Sequence, residues 1–212
     1  MNLPNLITLG RIVLSLVLVP LLFMDGFEVR LTAFIIFLVA AFSDLWDGHV
    51  ARSQGLITDL GKLLDPLADK LLLAATFIPF YLLSHGAGAE RFPWFGGTFP
   101  LWVLLVVFGR ELFITLFRGY AARRGVVLAA GKPGKLKAVF QNIFIGAAIF
   151  WYALQSKARH DGWNGSVWSA WERFHFGFTV AALSIAVVLT VYSMLVYLRS
   201  FSRLNLSRTA QP

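Results

Sequence analysis

Residues 31–50 read LTAFIIFLVAAFSDLWDGHV, an apolar run that ends with two aspartates three positions apart. A helix needs about 20 mainly apolar residues to cross a bilayer, and this run has that length. Similar stretches occur at 6–24, 63–84, 99–117, 136–155 and 174–198. The sequence therefore predicts an all-α integral membrane protein with six transmembrane helices, forming a single membrane domain over residues 1–212.

The composition supports a location in the membrane. Of the 212 residues, 58% are hydrophobic and 14% charged, which is far from the average soluble domain. The absence of cysteine excludes disulfides and thiolate chemistry, so any metal must bind to oxygen or imidazole. The first apolar run lacks the basic start and the cleavage site of a secretory signal, and it is expected to remain as a helix.

Basic residues gather at alternate connections between the predicted spans. They surround the fourth connection and follow the sixth span: Arg118, Arg123, Arg124, Lys132, Lys135, Lys137, Arg199, Arg203 and Arg208. The intervening connections carry both signs. By the positive-inside rule, both termini are expected in the cytoplasm. The net charge of +8 is attributed to topology and contact with membrane lipids, and no nucleic-acid partner is expected.

Acidic residues concentrate around the connection between the second and third spans. Five of the 11 lie between Asp44 and Asp69, although a carboxylate at the centre of a membrane helix costs about 2.5–3.5 kcal/mol. Asp44 and Asp47 are three residues apart and Asp65 and Asp69 are four apart, so each pair shares a helix face. Four carboxylates near one point require a cation, and oxygen ligands favour Mg²⁺ or Mn²⁺.

Small and basic residues accompany these carboxylates. Gly48, Ala51 and Gly61 lie on the same helix faces as the aspartates, where small side chains would let a ligand approach the backbone closely. Arg52 would offer a positive charge to phosphate oxygens. Simpler explanations stay open, because small residues also permit helix packing in membranes and Arg52 could extend to the interface.

The complete motif is Asp44-x-x-Asp47-Gly48-x-x-Ala51-Arg52, eight further residues, and then Gly61-x-x-x-Asp65-x-x-x-Asp69. It resembles the signature of the CDP-alcohol phosphatidyltransferase family at every fixed position. The resemblance implies six membrane helices, a homodimer, and a polar cavity that faces the cytoplasm from the cell's inner (cytoplasmic) membrane. It also implies phospholipid biosynthesis, in which a substituted phosphate passes from a CDP-linked donor to an alcohol and CMP is released.

The resemblance assigns roles to single residues. Asp44, Asp47 and Asp65 would be metal ligands, and Asp69 would be the general base that also contacts metal. The CDP pocket would be lined by Asp44, Gly48, Ala51, Arg52 and Gly61.

Segments outside the motif bear on the acceptor. Residues 2–11, 65–70, 110–112 and 134–137 are similar to those of family members that join CDP-diacylglycerol and sn-glycerol 3-phosphate, giving phosphatidylglycerophosphate and CMP. The acceptor phosphate is expected to bind a basic set on the cytoplasmic side: Arg110, Arg118, Lys135 and Lys137. Membrane topology with anionic lipid contact explains part of this set equally well.

Glu111 follows the first member of the basic set directly. Because adjacent residues on a helix point apart, Arg110 and Glu111 are expected to have separate partners.

Two kinds of alternative stay open. The same chemistry could use phosphatidylglycerol, as in cardiolipin synthesis, or serine or an inositol phosphate as the acceptor. A cation transporter could also bury aspartates in a membrane, although it would more naturally place them near the bilayer midplane on broken helices.

Overall fold

The computed structural model of the protein describes residues 3–53, 59–86, 88–123 and 132–209; the side chains at 3, 45–53, 59, 62, 132–133 and 200–209 lie outside the description. Over these ranges the chain forms six α-helices and a short 3₁₀ turn, Phe95–Gly97, with no strand. The helices are α1 Leu3–Phe23, α2 Phe27–Ser53, α3 Asp59–His85, α4 Leu101–Arg123, α5 Lys132–Asp161 and α6 Ser166–Thr209. The prediction of an all-α protein is confirmed.

Four helices in the described ranges are long and apolar enough to cross a membrane: Pro4–Phe23, Leu63–His85, Gly134–Asp161 and Ser166–Arg199. Helices α2 and α4 coincide with the other two predicted spans and have 27 and 23 residues. Both are long enough for a bilayer, but each carries several charged side chains. The chain is thus a multi-helix membrane protein, and the orientation of its termini stays a prediction.

The helices extend further than the apolar runs indicated. Helix α5 begins at Lys132 and ends at Asp161, and α6 begins at Ser166, whereas the hydropathy pattern placed these spans at 136–155 and 174–198. Hydropathy locates the part of a helix inside the hydrocarbon, while helix ends continue into the interface where charges are solvated. Pro133 fits the first turn of α5, because its missing N–H would have no partner there.

The chain divides into two compact units. The first contains residues 1–99 and 145–179, and the second contains 100–144 and 180–212. In the first unit α1 packs against α2 and α3.

Aromatic side chains fix the end of α3 in the first unit. Phe80 on α3 and Phe92 and Phe99 beyond it are fully buried. The ring centroids of Phe92 and Phe99 are 5.0 Å apart, and Phe80 lies 6.1 Å from Tyr152 on α5. Aromatic pairs at these separations add to the stability gained by burial. The segment after α3 is therefore anchored on α5.

A buried arginine joins the helix ends at this side of the first unit. The guanidinium of Arg30, fully buried, donates to both carboxylate oxygens of Glu90. It also donates to Ser156 Oγ at 2.7 Å and lies 3.3 Å from Asp25. Arg159, which is 45% exposed, contacts the same two carboxylates at 3.0 Å. Charges that the sequence pattern attributed to topology thus form one ion-pair network.

We predict that Arg30→Met destabilises the protein by roughly 3–5 kcal/mol, because the mostly buried carboxylate of Glu90 loses its buried partner and keeps only its contact with the exposed Arg159. Arg159→Met is the matched control, since it removes the same charge from the same network at an exposed position. Its expected cost is about 1 kcal/mol or less. Thermal unfolding in detergent measures the stability of both variants. Equal losses of stability would contradict the prediction, because the burial of Arg30 would then not increase its contribution.

Candidate functional site

Three helices of the first unit bring a cation and carboxylates together. Arg11 on α1 donates from Nη1 to Asp44 of α2 at 2.6 Å and to Asp69 of α3 at 3.1 Å. Thr8, one turn earlier on α1, donates to Asp65 of α3 at 2.9 Å. The side chain of Arg11 is fully buried, whereas those of Asp44 and Asp69 are 41% and 59% exposed. The carboxylates therefore keep oxygen atoms accessible to a ligand while their counter-ion is shielded.

The position of this cation follows from a polar face on α1. Asn5, Thr8, Arg11 and Ser15 are buried polar residues at helical spacing in an otherwise apolar helix. Polar groups in a membrane helix are expensive unless they meet partners in the bundle interior. This face therefore turns toward α2 and α3, which are the helices that carry the aspartates.

Sequence reasoning missed Thr8 and Arg11 as site residues. Residues 2–11 carry part of the resemblance on which the acceptor prediction rests, but that resemblance assigns no binding role to either side chain. The signal was available, because an arginine in the middle of an apolar span requires a buried anionic partner.

Three of the four aspartates predicted as metal ligands, namely Asp44, Asp65 and Asp69, each contact the polar face of α1 through Arg11 or Thr8. Gly61 lies on α3 one turn before Asp65, as predicted. The remaining predicted residues, Asp47, Gly48, Ala51 and Arg52, lie on the helical backbone of α2, but their side chains are outside the described residues. Their proposed roles stay predictions.

The donor set suits a hard divalent cation, although the described part of it is incomplete. Among the side chains that the structure describes, no three acidic or histidine groups form a metal cluster, and Asp47 is not among them. The three described carboxylates can carry three negative charges, and Arg11 supplies one positive charge. Accessible carboxylate oxygens with a residual negative charge are the ligands that Mg²⁺ and Mn²⁺ prefer.

A second polar cluster lies in the second unit, on α4, α5 and α6. Arg110 donates to Glu111 at 2.9 Å and to Ser193 at 3.1 Å. Lys137 of α5 also donates to Glu111. The side chains of Arg110 and Lys137 are 9% and 8% exposed. Glu111 therefore neutralises part of a nearly buried basic site. Gly134 lies beside this site, because a Cβ atom added to Gly134 would stand 4.0 Å from Nη2 of Arg110.

The expectation that Arg110 and Glu111 would not pair is wrong. Their Cβ atoms do diverge, as for any helix neighbours, but both side chains are long enough to bend toward α5. Lys137 of α5 donates to Glu111, and Ser193 of α6 accepts a hydrogen bond from Arg110. Side-chain length thus overrides the direction of the Cα–Cβ bonds.

The other two basic residues predicted to bind the acceptor lie differently. Arg118 donates to the hydroxyl of Tyr197 on α6, and its guanidinium carbon lies 5.2 Å from the centre of that ring. Lys135 is exposed near the start of α5. The structure thus groups Arg110 with Lys137, holds Arg118 on Tyr197, and shows no contact that ties Lys135 to either in the described part of the chain.

These features define a class of protein: an all-helical membrane protein with carboxylates gathered at the adjoining ends of two helices and a nearly buried basic cluster. The comparison with known families agrees. The model of the CDP-alcohol phosphatidyltransferase family matches residues 1–192, so the chain belongs to that family. This membership favours an enzyme over the cation transporter.

Curated relatives are similar over much of the chain. A protein of Mycobacterium tuberculosis named probable phosphatidylglycerophosphate synthase is 36% identical over 70% of this chain, and the match spans 66% of that relative, just under two thirds. The CDP-diacylglycerol–glycerol-3-phosphate 3-phosphatidyltransferase of Bacillus subtilis is 32% identical over 91% of both chains. An Arabidopsis thaliana protein with the same activity in its name is 30% identical over 98% of this chain and 82% of its own length.

Proposed function

We propose that the protein catalyses phosphatidylglycerophosphate synthesis, in which CDP-diacylglycerol and sn-glycerol 3-phosphate give phosphatidylglycerophosphate and CMP. The observation that carries the proposal is the meeting of Asp44, Asp65 and Asp69 at the polar face of α1, in a member of a family that performs this type of transfer. The names of the relatives support glycerol 3-phosphate over phosphatidylglycerol, serine or inositol phosphate as the acceptor.

In the proposed reaction a hydroxyl oxygen of the acceptor attacks the phosphorus that carries diacylglycerol. The bond from that phosphorus to the oxygen of CMP breaks, and CMP leaves with the electron pair. Asp69 accepts the proton of the attacking hydroxyl as general base. Its carboxylate is suited to this role because it is accessible, while the contact with Arg11 at 3.1 Å fixes its direction.

The proposed cofactor is a divalent cation, Mg²⁺ or Mn²⁺, held by Asp44, Asp47, Asp65 and Asp69. When bound, the ion would neutralise the donor diphosphate and the leaving CMP. The CDP part of the donor is proposed to lie along α2 and α3, against Asp44, Gly48, Ala51, Arg52 and Gly61. Small residues on this path leave room for the nucleotide near the helix backbone.

The acceptor phosphate is proposed to bind the basic residues of the second unit. Arg110 and Lys137 share one carboxylate, Glu111, and so keep a net positive charge. A guanidinium and an ammonium group together can bind a phosphate through charge-assisted hydrogen bonds. A neutral acceptor would have no use for that charge. Arg118 and Lys135 are proposed to add to the positive field around the phosphate.

The remaining proposals concern the setting of the enzyme. The distribution of Lys and Arg supports cytoplasmic termini and an active site that faces the cytoplasm from the inner membrane, and the family resemblance supports a homodimer. A terminal reporter fusion that is active only outside the cytoplasm would contradict this orientation. Cross-linking that yields monomers alone would contradict the dimer.

The acceptor is tested with purified protein in detergent, by following CMP release with CDP-diacylglycerol and each candidate alcohol. We expect turnover with glycerol 3-phosphate, and an acceptor KM that rises about tenfold or more in Arg110→Gln or Lys137→Gln, since a hydrogen bond to a charged group contributes about 1.5–3 kcal/mol. The KM for the donor should change less. Arg123→Gln is the control, because it removes an exposed charge from the end of the same helix.

Two outcomes would contradict the acceptor assignment. Turnover with serine or phosphatidylglycerol, but none with glycerol 3-phosphate, would overturn the reaction itself. Equal increases in the KM of donor and acceptor would mean that the basic cluster supports the fold and does not bind the acceptor.

We predict that Asp69→Asn lowers turnover by roughly 10²–10⁴-fold, the effect of losing a general base, while the variant still binds CDP-diacylglycerol. Asp44→Asn should behave differently, because it removes charge from the metal site and should weaken donor binding and turnover together. Excess metal should partly restore Asp44→Asn and leave Asp69→Asn inactive. Recovery of Asp69→Asn by metal would make this residue a ligand, and near-normal turnover without added metal would refute the mechanism.

A further inference from the structure

The end of α3 that is remote from the carboxylates carries its own polar surface. Asp65 and His85 lie 20 residues apart on α3, which corresponds to about 30 Å along a helix. This is close to the thickness of the hydrocarbon core of a bilayer. The segment that follows His85 therefore lies at the membrane face opposite to the aspartates.

Two adjoining cavities open at this face, within the first unit. One has a volume of ≈ 480 Å³ and is lined mainly by the segment between α3 and α4. The other has a volume of ≈ 540 Å³ and lies against Trp151 of α5 and the first turns of α6. Both are lined by Arg91 and Phe176. The second cavity adds Trp151, Glu172 and Arg173, so two arginines from different elements border one continuous surface.

These two arginines differ from the other cations at the same face. Arg30 and Arg159 bind Glu90, and Lys157 binds Asp161 at 2.8 Å. By contrast, the side chains of Arg91 and Arg173 form no ion pair or hydrogen bond with the part of the chain that the structure describes. Glu172 offsets one of their charges, and a net positive charge remains in the second cavity.

The backbone at Arg91 is held in place by specific contacts. Its carbonyl oxygen accepts a hydrogen bond from Trp151 Nε1 at 2.8 Å, and Trp151 is buried. Gly97 has a φ of +77°, and a Cβ there would stand 3.4 Å from Arg91 Cγ. Any other residue at position 97 would be strained by this φ. The backbone of Arg91 is thus fixed by the fold, and its exposed side chain extends from a defined position.

We propose that these cavities bind the phosphodiester headgroup of a phospholipid in the leaflet opposite to the aspartates. A guanidinium group binds phosphate with two parallel hydrogen bonds, and this surface is bordered by Arg91 and Arg173, whose guanidinium groups have no ion-pair or hydrogen-bond partner among the described residues. Phe176, which is partly exposed and lines both cavities, offers apolar contact to the glycerol and the first acyl carbons, as aromatic residues do at membrane interfaces. Glu172 accepts a hydrogen bond from a hydroxyl or ammonium group of the headgroup. Inorganic phosphate would bind the two arginines but would make no apolar contact with the aromatic side chain.

The test measures phospholipid binding to delipidated protein in detergent by native mass spectrometry. Phosphatidylglycerol is titrated into the wild type, Arg91→Gln, Arg173→Gln and the double variant. Lys157→Gln is the matched control, because it removes one positive charge from the same face outside the cavities. Separate arms use phosphatidylethanolamine, which tests the headgroup, and competition by inorganic phosphate, which tests a free anion.

We expect the affinity of one class of phosphatidylglycerol site to fall in each single variant, and to fall by about tenfold or more in the double variant. The unfolding temperature should not change. Lys157→Gln should bind lipid like the wild type, and millimolar inorganic phosphate should fail to displace it. The proposal is overturned if the double variant binds lipid as Lys157→Gln does. Displacement of the lipid by inorganic phosphate would also overturn it, because the site would then be one for a free anion.

Discussion

Arg11 is the buried cation on which the arrangement of the first three helices depends. A guanidinium inside an apolar helix is unfavourable unless anions surround it, and here Asp44 and Asp69 come from two other helices. The three helices must therefore lie close enough for one side chain to reach both carboxylates. The same contact offsets part of the repulsion between the two carboxylates. One interaction thus contributes to both the fold and the site.

Helix α3 is held at both ends, which fixes the height and rotation of its aspartates. Near its start, Thr8 and Arg11 contact Asp65 and Asp69. Beyond its other end, the ion pair of Arg30 with Glu90 and the packing of buried phenylalanines hold the following segment. The general-base role proposed for Asp69 requires a well-fixed carboxylate, because a misplacement of about 1 Å can lower a rate about 10²-fold. Contacts near the start of α3 and beyond its end, separated by its apolar length, hold these aspartates in position.

The meeting of Asp44, Asp65 and Asp69 with other polar groups could be predicted from sequence, because carboxylates in apolar spans need polar partners and because Asp65 and Asp69 are one helical turn apart. An arginine inside the first apolar span signals a buried anionic partner, but the identity of that partner could not be predicted, since the pairing of Arg11 with Asp44 depends on how separate helices pack. The pairing of Arg110 with Glu111 was predicted wrongly, because bond directions at Cβ do not determine where long side chains end. The ends of α5 and α6 were missed because hydropathy follows the hydrocarbon and not the helix.

A double-mutant cycle tests the central interaction most directly. Arg11→Gln, Asp44→Asn and the combined variant are unfolded in detergent with a metal chelator present, and the free energies of unfolding are compared. If the two residues form the buried contact at 2.6 Å, the losses will not add, and the coupling energy will be roughly 1–3 kcal/mol. Losses that add to within about 0.5 kcal/mol would contradict the account, because Arg11 and Asp44 would then be independent.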